Sequence, residues 1–403
     1  MAPFEAAYES AIDAGILPGV VLLAADVTES FTYTNAMGVQ SLGVENASKP
    51  LEPETIMAIA SCTKLFTAIA VLQCVEDGLF TLDEDVTRLL PELAAIPIIS
   101  NPIDPTTNQF TLRPRENPMT VRHLLTHSSG LAYELFSPLL VAWRTSRNEI
   151  PSSGPTVETR ANHPLLFEPG TAWMYGLGAD WAGKLIERTT GLSLEDYMSS
   201  RLWSSLGLTD VTFWPRTKPD MAGRIAEMST WNQDGKCVSL GEDFDLNNGP
   251  TDCLGGSGSF GSARDFFKFM QAVLRRDERL LKKSKSWEEL FRPQLTPESK
   301  EALQRLLESS KWFDIELGAN IPLDGAKSWS LGGLVSLDGY DGWFSKGTML
   351  WSGLPNLRWF IDPKEGLCGL VATQLIAHEA KAIKELSVQF QKGVYELFAL
   401  SKV

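Results

Sequence analysis

The chain has 403 residues, 36 Lys plus Arg against 50 Asp plus Glu and a formal net charge of −14, a size that suits two to three domain-sized units or one large fold carrying an insertion. Hydrophobic residues make up 43% and charged residues 21%, enough for a large core and too apolar for a disordered chain. Nucleic acid and anionic membranes need local positive charge, and the one basic stretch, Arg275 to Lys285, is interrupted by Asp277 and Glu278, so both are excluded as partners.

From the amino terminus, Met1 to Ser10 carries two Glu and no apolar run of the secretory kind, and nowhere do 18 apolar residues follow one another. Phe4 to Ala14 has helical spacing and ends at Gly15; Val20 to Asp26 and Phe31 to Met37 read as a hairpin. Met57 to Asp77 reads as one long helix, with Leu65, Ala68, Ile69, Leu72 and Val75 on a stripe and Gly78 as its cap. Between Asn101 and Pro118, and again between Pro151 and Pro164, the chain is loop-like, so the middle third is helices on long connections: Thr120 to His127, Asp180 to Thr190 and Leu194 to Leu202.

The texture changes again at Gly255-Gly256-Ser257-Gly258, ahead of a helix from Ala263 to Arg275. Gly333 to Leu337, Thr348 to Ser352, Leu357 to Ile361 and Leu367 to Thr373 have the length and patterning of strands, and a closing helix runs from Glu379 to Phe398. Strands at both ends with helices between them predict one antiparallel sheet that brings the first and last strands together. Residues 1–88 and 255–403 then form an α/β region, 89–254 a mainly helical insertion, and a cleft lies at their junction. The five cysteines, Cys62, Cys74, Cys237, Cys253 and Cys368, are odd in number and widely spaced, which predicts free, mostly buried thiols and an intracellular, cytoplasmic protein.

The chain contains no G-x-S-x-G nucleophile motif. His123 and His127 are four apart but lack the Glu of the zinc-protease pattern, and only His163 and His378 remain elsewhere. No metal or cofactor is implied, and the two His are read as structural groups that hydrogen-bond the turn ending at Gly130. Ser61-Cys62-Thr63-Lys64 is the one S-x-x-K. Its spacing puts both side chains on one helix face, the first turn favours an oxyanion, and Ile59, Ala60, Leu65 and Phe66 disfavour the ammonium, so Lys64 becomes usable as a base. The bland alternative is a capping Ser followed by a snorkelling Lys.

Ser61-x-x-Lys64, Thr120 to Leu131 with its His-Leu-Leu-Thr-His-Ser-Ser-Gly-Leu run, Phe167-Glu168-Pro169-Gly170 leading to Tyr175, and Gly255 to Gly258 before a helix together resemble serine β-lactamase-fold proteins of the class C and penicillin-binding type. The chain is most similar to family VIII esterases and fungal transesterases of the lovastatin type, from about Ile16 to about Thr373. The resemblance implies an α/β (α+β) fold, an antiparallel sheet flanked by helices with a mostly helical insertion. It also implies Ser61 as nucleophile, Lys64 as its partner and Tyr175 as a proton relay, leaving open which of the last two is the general base. Trp351-Ser352-Gly353 aligns with the family's strand triad, so the amides of Ser61 and Leu354 are the expected oxyanion donors.

Two departures bear on substrate. Leu177 stands where lactamases and peptidases carry an Asn, and Trp351 where they carry a Lys; Lys346 is the nearby cation that could restore a charge. Both changes favour neutral esters or thioesters of hydrophobic acids. Tyr133, Phe136, Trp173, Leu177, Trp343, Phe344, Trp351 and Gly353 are the expected substrate-binding residues, although at least half of such aromatics belong to a core. The expected activity is acyl transfer through acyl-Ser61, with a small-molecule acyl donor, an acyl-carrier or CoA thioester included, and water or an alcohol as acceptor, in secondary metabolism. A β-lactamase or D-Ala carboxypeptidase, and a non-catalytic binding relative, are the alternatives.

Overall fold

The computed structural model describes residues 2, 4–43, 49–100, 110–377 and 380–402. His378 and Glu379 lie outside the described residues, as does most of the loop expected after Asn101.

Seven strands form one antiparallel sheet in the order Lys327–Trp329, Leu334–Ser336, Met349–Gly353, Leu357–Asp362, Leu367–Ala372, Gly19–Asp26 and Thr32–Gly38. The run Gly19–Asp26 is buried at every position, as a strand covered on both faces must be. It pairs on one side with Thr32–Gly38 and on the other with Leu367–Ala372, Val21 opposite Ala36 and Ala372, so the two chain ends close the sheet together. The terminal helices Glu5–Asp13 and Lys381–Ser401 pack against it through Phe4, Tyr33 and Phe390, and a β-carbon on Gly393 would collide with the Phe4 ring. The helix Ala263–Leu274 also packs on the central strands.

The helix that carries Lys64 runs from Thr63 to Glu76, later than the sequence spacing predicts. Ile56–Ala58 is instead a short strand paired with Phe260–Ser262, and a 3-10 turn Ala60–Cys62 joins it to the helix. Every residue from Thr63 to Cys74 is buried, so this helix is apolar all round, with Phe66 between Trp203, Phe266 and Phe269. The middle of the chain holds short strands as well as helices, Val211–Thr212, Ser229–Trp231 and Cys237–Ser239 among them. Runs of two or three residues are too short to carry a period-2 signal. All five cysteines are free, and all but Cys237 are buried. Among the described residues, no helix is long and apolar enough to cross a membrane.

Candidate active site

Ser61 sits in the 3-10 turn one step ahead of the helix, directly after Ala60, whose φ of 46° is a strained value for a residue with a β-carbon. The turn runs straight into the helix, so the three-residue offset brings Lys64 Nζ to 3.2 Å from Ser61 Oγ. The same amine lies 3.2 Å from the Tyr133 hydroxyl and donates to Gly256 O at 2.7 Å. Lys64 is only 5% exposed, and burial lowers its pKa to about 7, against which the Asp180 carboxylate pulls upward.

Tyr175 is buried beside this group, its ring centroid 4.5 Å from Lys64 Nζ. The Trp351 indole donates to its hydroxyl at 3.1 Å. Burial raises the phenol's pKa, while the Ser61 and Trp351 side chains act in the opposite direction. Behind it, His127 accepts a hydrogen bond from Gly176 N through Nδ1 at 3.2 Å, and its ring centroid is 4.5 Å from that of Tyr175. The His127 side chain thus holds the Tyr175 segment and not the turn ending at Gly130. His123 accepts from Thr120 N and completes the cap of the short helix Val121–Leu125. Among the described residues there is no group of three His, Cys, Asp or Glu that could hold a metal ion.

Gly353 ends the strand Met349–Gly353 against the segment before Ser61, where a β-carbon would collide with Ile59 O. Leu354 follows in a hairpin turn closed by Asn356 N donating to Gly353 O, and its side chain is 44% exposed.

The other expected contact residues divide. Tyr133, Phe136 and Trp351 surround Tyr175 at centroid distances of 5.3, 6.0 and 5.0 Å. Leu177 is buried ahead of the helix Gly178–Thr190, on the wall of a small cavity beside Tyr133. Trp173 is 2% exposed and packs behind Tyr175 on His127 and Trp329, a core position. Trp343 and Phe344 are not brought to Ser61: their loop reaches the closing helix, where Trp343 donates to Gln391 and stacks under Lys392, and the nearby hollow is lined by Tyr395 and Phe398. Lys346 belongs to the same hollow, so it leaves Trp351 without a neighbouring cation from that loop.

Four residues of the site carry no signal in the sequence. Asp180 accepts from Gly256 N at 2.8 Å and so anchors the backbone of the residue whose carbonyl receives Lys64. Arg160, buried on the short helix Val157–Arg160, lines the same small cavity. Trp312 and Phe313 pack on Phe136 from the helix Lys311–Leu317. None lies in a motif, and each reaches the site only through the tertiary fold.

A model of the Beta-lactamase family matches residues 4–384. The chain belongs to the Beta-lactamase family. Within it, the chain is 35% identical over 395 residues to monacolin J acid methylbutanoyltransferase of Aspergillus terreus, covering 97% of this chain and 94% of that protein. It is 34% identical over 399 residues to the lovastatin esterase of Penicillium rubens, covering 98% of both. A mutant of simvastatin synthase from Aspergillus terreus superposes with a TM-score of 0.91 at 36% identity, over 98% of this chain and 95% of that one. The named relatives in this branch of the family are acyltransferases and esterases, which is the class of enzyme that the resemblance in sequence implies.

Proposed function

We propose that the protein is a serine acyl-transfer enzyme that forms an acyl-Ser61 intermediate from a hydrophobic ester or thioester. The observation that carries this reading is the triple contact of Lys64 Nζ with Ser61 Oγ, Tyr133 and Gly256 O. An ammonium has three N–H donors for these three oxygens, whereas the neutral amine has two and a lone pair. Gly256 O can only accept, so with Tyr133 also accepting, the lone pair faces the Ser61 hydroxyl. A pKa near 7 makes that neutral form accessible at physiological pH.

Ser61 Oγ attacks the acyl carbon as its proton passes to Lys64. The tetrahedral oxyanion lies between the amides of Ser61 and Leu354, and the Tyr175 phenol gives its proton to the departing alcohol or thiol and is reprotonated from the Lys64 ammonium, which returns Lys64 to the neutral amine. Tyr175 is held protonated by burial, which suits it to donate and Lys64 to accept. The acyl-enzyme then takes an alcohol, or water, along the same path in reverse.

Phe136, Trp351, Trp312 and Phe313 favour an apolar acyl or alcohol group over a carboxylate. The relatives named for methylbutanoyl transfer to monacolin J acid and for lovastatin esterolysis support a short branched acyl group and a bulky hydrophobic alcohol. The donor is an ester or a thioester, on an acyl carrier or coenzyme A. Five free cysteines support a cytoplasmic setting.

Partitioning tests transfer against hydrolysis. With a fixed acyl donor, millimolar hydrophobic secondary alcohols divert acyl groups from free acid to new ester, read by mass spectrometry with Ser61→Ala as blank. An alcohol bound and oriented at the acyl-enzyme competes with water at about 55 M through effective molarity. Free acid alone across a broad alcohol panel would mark a carboxylesterase.

A further inference from the structure

The hydroxyl of Tyr133 receives a hydrogen bond from Lys64, and its own proton needs an acceptor. If that proton turned back to Lys64, it would occupy the lone pair that Ser61 requires. Tyr133 also lines a cavity of about 50 Å³ whose wall includes Arg160, Asp180, Ser257 and Glu134, the last with both oxygens already taken by Arg144 and Ser152. That volume suffices for one or a few waters. Two buried polar atoms of its wall, Asp180 Oδ2 and Arg160 Nε, have no protein partner among the described residues. Asp180 is 2% exposed and Arg160 7%, so neither is served by bulk solvent. A β-carbon on Gly256 would stand 2.7 Å from Asp180 Oδ2 and 3.0 Å from the Tyr133 hydroxyl, so the absence of that side chain opens the space between them.

We propose that Asp180 is a positioning residue for Lys64: it anchors Gly256 at its N–H through one oxygen, and through the other, by a water shared with Arg160, it accepts the hydrogen bond of the Tyr133 hydroxyl. Tyr133 is then locked as an acceptor, and the Lys64 lone pair is left to Ser61 alone. The bonds used are all distinct: Gly256 N to Asp180 Oδ1 at 2.8 Å, Lys64 Nζ to Gly256 O at 2.7 Å and Lys64 Nζ to Tyr133 at 3.2 Å. An unpaired buried carboxylate oxygen costs stability unless a donor reaches it, which is the reason to place water there. The groups that face Lys64 are Ser61 and Cys62 from the turn before it, Tyr133, His127 and Tyr175 from the middle of the chain, and Asp180 from the helix Gly178–Thr190, with Arg160 behind Asp180.

This inference rests on Ser61 being the nucleophile, and its test separates the two. The rate of fluorophosphonate labelling at Ser61 is measured against pH for the wild type and Asp180→Asn, with circular dichroism to confirm the fold. Asn keeps an acceptor for Gly256 N but presents a donor toward Tyr133. The plateau rate falls by about tenfold, the worth of one hydrogen bond to a charged group, and its acidic limb moves to lower pH because the charge that supports the Lys64 ammonium is gone. A purely structural role would change the folded fraction and leave both unchanged. Gly256→Ala, which places a methyl group where the water sits, slows labelling similarly and serves if Asp180→Asn does not fold. A plateau within twofold of the wild type in the folded variant, with an unmoved limb, overturns the Asp180 assignment alone. Absence of wild-type labelling overturns both readings.

Discussion

Like burial acts in opposite directions on two residues of the site because their charges differ when protonated. Burial disfavours the ammonium of Lys64 and brings its pKa to about 7, and it disfavours the phenolate of Tyr175 and raises that pKa. Burial therefore favours the neutral Lys64 amine above pH 7 and the protonated Tyr175 phenol throughout the neutral range, the two states that the proposed acyl transfer needs. The acylation rate rises with pH through about 7, because the ammonium present below that value has no lone pair. A burst assay with a p-nitrophenyl ester reads the limb directly. Trp351 joins the pair by donating to Tyr175 at 3.1 Å, a contact that lowers the phenol's pKa. Trp351→Phe keeps the ring and removes the donor, so kcat drops by about tenfold with KM little changed. An unaltered kcat would show that this bond does not act on the reaction. Lys64→Ala with Tyr175→Phe costs little more than either change alone, since both belong to one proton path; additive losses in kcat would separate them.

At the scale of elements, the site depends on close backbone approaches. The turn at Ala60 with φ 46° presents Ser61, and the strand Met349–Gly353 closes on it so tightly that only Gly fits at 353. Gly353→Ala pushes strand and turn apart by a few tenths of an ångström or more, so it lowers kcat/KM by about 100-fold while the sheet persists, as circular dichroism and ester kinetics together show. Gly176 and Gly178 are packed onto the carbonyls of Leu131 and Leu124 in the same way, which sets the Tyr175 ring against Lys64.

These approaches explain what the sequence could reveal. The Ser61 to Lys64 offset is local, and it was legible. The start of the helix was not, because Met57 and Ala58 are as apolar as the residues that follow and their strand pairing with Gly261 and Phe260 is long-range. The same holds for Asp180, whose partner Gly256 lies 76 positions away, and for Trp343 and Phe344, which sit near Trp351 in sequence but turn to the closing helix.

Across the whole molecule, the open sheet in which strands from the two chain ends pair provides the frame, and the site gathers residues from three stretches of chain, near 61, between 127 and 180, and from 256 to 353. The walls it assembles are aromatic: Trp351 is 2% exposed and Phe136 contacts Trp312 and Phe313. Neither Leu177 nor Trp351 can pair with a carboxylate, so nitrocefin is turned over with a lower specificity constant than p-nitrophenyl butyrate. The reverse order would assign the protein to β-lactam substrates.

Acyl transfer through Ser61 requires a covalent acyl-enzyme, and rapid-quench intact mass spectrometry with p-nitrophenyl butyrate detects it. A transient mass increase of one butyryl group is expected, mapped by peptide digestion to the segment containing Ser61 and absent from Ser61→Ala. Turnover without any adduct under trapping at low pH, or an adduct that persists in Ser61→Ala, would contradict acyl transfer through Ser61.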